Sequence, residues 1–151
     1  MTRSDLFNHI MTDESIDMML RQMDAKEIVS KTGQIANVTF EVAEGIVAEY
    51  TYQATEDGDL YMQRLKPIPR NIGKIKDISD MIKEISYDLR NYKHAVDAGL
   101  FDEYINMARS LRHLRREFED LFLMYSPEKG SLDEFNEKIE ELHESIEKTF
   151  L

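Results

Sequence analysis

From residue 74 to the end of the chain, apolar residues recur every three or four positions, and that spacing leaves little besides helix. Ile75, Ile78, Ile82, Ile85, Leu89, Tyr92 and Val96 step by 3, 4, 3, 4, 3, 4. This is a heptad seam suited to packing against other helices. Gly99 stops the run. A long helix over residues 100–125 then places Leu111, Leu114, Phe118, Leu121, Phe122 and Tyr125 on one side. Pro127 ends it. Ser131 with Glu134 reads as a capping box for a last helix through Leu132, Phe135, Ile139, Leu142 and Ile146. Connections this short join antiparallel neighbours. The expected unit is therefore a three-helix antiparallel bundle over 74–150 that shares one core.

Upstream the period changes to two. Val38, Phe40 and Val42 alternate with Asn37, Thr39 and Glu41, Ile46, Ala48, Tyr50 and Tyr52 alternate with Val47, Glu49, Thr51 and Gln53, and a third run follows at 60–65. Turns at Ala43-Glu44-Gly45 and Glu56-Asp57-Gly58-Asp59 separate them. The pattern predicts a three-stranded antiparallel meander over 35–66. The second turn is acidic but far short of a calcium loop. Lys66 to Gly73, with two prolines and a glycine, reads as an extended basic connection.

Helices are expected over 1–32. The first runs through Leu6, Phe7, Ile10 and Met11. The second carries Ile16, Met19, Leu20 and Met23 as core lining, and residues 24–32 lean to a further helical turn. The whole reads as one α+β domain over 1–151.

Composition narrows function mainly by exclusion. With no cysteine, thiol nucleophiles and thiolate metal sites are absent. No apolar run reaches the roughly 18–20 residues that span a bilayer, and the N-terminus lacks a signal-like apolar stretch. The expectation is a cytoplasmic protein without membrane contact. A formal net charge of -11 argues against direct nucleic-acid binding. There is no phosphate-binding glycine motif and no readable nucleophile–base arrangement, so no cofactor is expected and a non-enzymatic role is favoured. Glu140, His143 and Glu144 spell half of a carboxylate-bridged metal motif without its second half, so no metal is assigned.

The charge is uneven. Opposite the apolar side of the long helix, Arg109, Arg112, His113 and Arg116 form a basic stripe at i, i+3, i+4, i+7. Arg115 and Arg116 have acids within reach in Glu119 and Asp120, whereas Arg109 and Arg112 have none. This stripe is the first candidate for binding a partner. Arg70, Lys74 and Lys76 are the second, since a basic glycine loop ahead of a helix can hold an anion. The last helix is acidic, with Glu137, Glu140, Glu141, Glu144 and Glu147. The favoured expectation is an interaction or regulatory protein that binds a protein partner through a surface helix, with self-association through helical faces. The alternatives are an acidic inhibitor that mimics nucleic acid and a small phosphate- or nucleotide-binding protein.

Overall fold

Alternation of apolar and polar side chains over 38–62 is realised as sheet. In the computed structural model, which describes residues 13–150, β1 (Gly33–Ala43), β2 (Ile46–Thr55), β3 (Leu60–Lys66) and β4 (Arg70–Ile75) form one antiparallel meander in sequence order. The register puts Val38 opposite Tyr50, Tyr50 opposite Arg64, and Leu60 opposite Ile75. One face therefore gathers Val38, Phe40, Ala48, Tyr50, Leu60 and Met62. Phe40 meets Tyr50 edge-on at 6.2 Å between ring centres, a favourable aromatic geometry.

The sheet has four strands, not three. Residues 70–75, with 70–73 expected to be an open connection and 74–75 the start of the first bundle helix, pair with β3. The residues that signalled a break have local jobs instead. Pro67 and Pro69 lie in the turn between β3 and β4, where no ladder N–H is needed. Gly73, at φ +81°, sits in a bulge that leaves Ile72 as the extra residue of an edge strand.

The acidic turn between β2 and β3 is held by lysines. The Asp59 carboxylate accepts from Lys31 at 2.7 Å and lies 2.6 Å from Lys74 on β4. Hydrogen bonds from these two lysines pull the Asp59 carboxyl down from 3.8 to about 2. A depressed carboxyl contributes stability that is full above 3.8 and lost as pH falls toward 2. A carbon-detected NMR titration of Asp59 should show its midpoint near 2; an ordinary midpoint would mean that the lysines are not held.

Helix α2 (Ile78–Asp97) packs across the apolar face. Asp77 caps it, its carboxylate accepting from the Asp80 N–H at 2.9 Å. The buried row is Met81, Ile85, Asp88 and Tyr92. The seam read from the sequence shares only Ile85 and Tyr92 with that row, and Ile78 and Ile82 are 68% and 53% exposed. At 100° per residue, the helix is rotated by roughly 50° from the seam direction. The reason is a polar anchor: Asp88 is drawn inward by Arg64, as described below.

The shared three-helix core does not form. Helix α3 (Phe101–Met124) follows Gly99, which has φ +70°. It touches the core only with its first turns, where Phe101 and Tyr104 pack against Tyr92 at 6.5 and 6.1 Å and Ile105 is buried. Helix α4 (Lys129–Thr149) has no buried residue. It begins before Ser131, so the expected capping box is absent, and Glu134 bonds Lys138 instead at 2.6 Å. Phe118 of α3 and Phe135 of α4 meet edge-on at 5.8 Å, each seven residues from the 125–128 connection. The chain therefore turns back on itself at this connection, and the two helices form a hairpin.

Helix α1 (Asp13–Gln22) precedes the sheet. Its apolar residues Ile16, Met19 and Leu20, with Met23 beyond its end, are exposed rather than core lining. Asp24 at φ +61° and a bond from the Ala25 N–H to the Leu20 carbonyl close that helix. Residues 25–32 then run without helix or strand, against the helical expectation. The helix expected through Leu6 to Met11 lies outside the described residues. No helix among the described residues is long and apolar enough to cross a membrane.

Candidate interaction surface

Helix α3 is built to be long. It contains no glycine or proline, and Asp102 and Glu103 stand in its first turn, where the helix dipole favours acids. Its base is fixed by a buried polar cluster. Arg64 Nη1 donates to Asp88 Oδ2 at 2.8 Å, and the Tyr50 hydroxyl donates to the same oxygen at 3.1 Å. Arg64 Nε donates to the Ile68 carbonyl at 2.7 Å, which ties down the β3–β4 turn. The guanidinium also lies 5.6 Å from the centre of the Tyr92 ring, within reach of a cation–π attraction. Burial, reinforced by the Asp88 charge, holds the Tyr50 phenol above its ordinary range, and burial does the same for Tyr92. Both are neutral at physiological pH. The Tyr92 ring is in turn the platform for Phe101 and Tyr104 of α3.

Sequence reading missed this cluster as a unit, placing Arg64 on the third strand without a partner and leaving Asp88 off the seam. One signal was available. Asp88 stands three residues after Ile85 and four before Tyr92, on the row that is buried. A carboxylate at such a position requires a cation from the facing sheet.

The residues of the basic stripe stand together on α3, and their pairing departs from expectation at His113 and Arg116. Arg109, Arg112, His113 and Arg116 are all exposed on α3, and together they border a shallow surface concavity of about 500 Å³ that runs to Glu119 and Asp120. His113 Nε2 lies 3.3 Å from Glu117, and Arg115 Nε lies 3.3 Å from Glu119. Arg116, expected to pair with Asp120, forms no ion pair among the described residues, nor do Arg109 and Arg112. The stripe thus presents three free guanidinium groups and one paired imidazole.

The second candidate set does not converge. Arg70 lies 3.3 Å from Glu84 and Lys74 is held by Asp59, while Lys76 is exposed between β4 and α2. The N-terminus of α2 already carries the Asp77 carboxylate in its cap. His143 stands exposed on α4, and among the described residues no group of His, Asp or Glu is arranged to hold a metal ion.

The opposite side of α3 departs most from a finished surface. Leu111 and Leu114 are 50% and 59% exposed, and on α4 Ile139, Leu142 and Ile146 are 48–50% exposed. Phe118 meets Phe135, and the rest of both apolar seams stands half open. A contiguous apolar strip rimmed by charge is what interaction sites carry. Comparison with protein-family profiles, with curated proteins and with solved structures gave no match, so geometry and charge carry the functional reading.

Proposed function

We propose that this chain is a non-enzymatic interaction protein. The sheet and α2 form its base, and the α3–α4 hairpin is the surface that binds another protein. One observation carries the reading: beyond Ile105, neither helix of the hairpin buries a residue, although both keep an apolar seam. A helical seam left open costs solubility unless a partner covers it. For a partner that also reaches round α3, the Arg109, Arg112 and Arg116 groups on its outer side offer charge to an acidic surface.

The test is capture from a cell extract. Arg109→Glu with Arg112→Glu should abolish capture of the bound protein while the circular dichroism spectrum is unchanged. The acids of α4 favour a second reading, an acidic surface that stands in for nucleic-acid phosphates, because Glu137, Glu140, Glu141, Glu144 and Glu147 are all exposed. Under that reading Glu141→Lys with Glu144→Lys is the damaging pair and the arginine variant is silent. A phosphate-binding role has less support, since Arg70 and Lys74 are engaged by Glu84 and Asp59.

A further inference from the structure

We infer that the protein covering the hairpin is a second copy of this chain, the two hairpins packing into a four-helix bundle with α3 of each copy beside α4 of the other. The inference rests on the reading of the hairpin as an interaction surface and names its partner.

Charge supports self-pairing. Residues 109–116 contain four arginines and no acid, and residues 137–144 contain four glutamates and one lysine. Phe118 against Phe135 sets these two segments at about the same level, because both helices rise equally per residue. A second copy docked α3 to α4 therefore meets opposite charge on both new edges. Docking α3 to α3 would set arginine against arginine. The flanks of the seams agree with this. By helical spacing, Arg115 borders the α3 seam on one flank with Arg112 next outward, toward the stripe, and Glu147 and Glu140 stand likewise on the corresponding flank of the α4 seam. On the other flank Glu117 corresponds to Lys138. The complementary arrangement is the one that sets the Arg112–Arg115 flank of one copy against the Glu140–Glu147 flank of the other, since the opposite flanks carry Glu117 and Asp120 against Glu134, Lys138 and Glu141.

Area is sufficient. A 21-residue helix spans roughly 32 Å, and two helices side by side are roughly 20 Å wide, so each hairpin offers about 600 Å² in projection. Interdigitating side chains bring this toward the ~800 Å² per partner of stable complexes. The seam residues, Leu111, Leu114 and Phe118 with Ile139, Leu142 and Ile146, are the kind that fill a bundle core.

The experiment is sedimentation velocity of the full chain across micromolar concentrations. The wild type should have twice the mass of one chain. Leu114→Glu with Ile139→Glu should reduce it to one chain, with amide protection in β2 retained to show that the base is folded. Arg112→Glu with Arg115→Glu, and separately Glu140→Lys with Glu147→Lys, should each weaken the dimer at least tenfold. An equimolar mixture of these two variants should return to dimer mass with one chain of each kind by native mass spectrometry. A wild type that stays at one-chain mass overturns the inference, whether its own α1 or a different protein covers the seam. A mixture that fails to pair overturns it as well. In either case, capture that is lost with Arg109→Glu and Arg112→Glu would keep the hairpin as an interaction surface for another protein.

Discussion

Replacing Asp88 with alanine should lower the unfolding free energy by about 3–5 kcal/mol, the usual consequence of leaving one half of a buried ion pair alone. The Arg64 and Asp88 side chains are 8% and 6% exposed, so water cannot compensate the stranded guanidinium. The loss should exceed that of Tyr50→Phe, which removes one donor to Asp88 and should cost about 1 kcal/mol. Asp88→Asn keeps an acceptor for Arg64 and Tyr50 and should fall between them. Urea unfolding of the three variants gives the order directly.

The partner experiment separates charge from packing. Arg64→Met with Asp88→Leu removes both charges and should recover most of what Asp88→Ala loses, because well-packed apolar pairs replace buried ion pairs at little or no cost. Recovery will be incomplete while the Tyr50 hydroxyl lacks its acceptor and the Ile68 carbonyl lacks the Arg64 Nε donor, and adding Tyr50→Phe should close the first part of that gap. A loss below about 1 kcal/mol for Asp88→Ala would mean that the pair is solvated and that the described geometry is wrong.

That cluster also explains where the sequence was legible. Val38, Phe40 and Tyr50 could be read as one face of a sheet because alternation is a local property of each strand. Strand β4 could not, since its residues are held by pairing with β3, while Pro67, Pro69 and Gly73 dominate any local reading. The rotation of α2 was hidden for a similar reason. Ile78 and Ile82 are better core residues than Asp88 by type, and only the arginine brought up by the sheet reverses the preference. On α3 the residues of the basic stripe were readable but their pairing was not. Arg115 and Arg116 stand within reach of the same stretch of acids, and side-chain geometry chose Arg115 with Glu119. The seams of α3 and α4 mark faces that favour burial, but periodicity carries no information about whether the same chain covers them.

The same division predicts two distinct stabilities within one chain. Met62 is 1% exposed between the sheet and α2, and Met62→Ala should cost about 2–5 kcal/mol through lost burial and the cavity it leaves. Every slowly exchanging amide of β2 and β3 should lose protection together, because those strands open as one unit. Leu142→Ala removes as many apolar atoms from a side chain that is half open in the single chain. Its effect should be confined to α3 beyond Ile105 and to α4, with amide protection in β2 and β3 unchanged within about 0.5 kcal/mol. Native-state hydrogen exchange on both variants reads this out residue by residue. If Leu142→Ala lowered protection in β2 as far as Met62→Ala does, the hairpin and the base would be one cooperative unit. The open seam would then be a structural wall of the core, and the case for a surface that waits for a partner would fall.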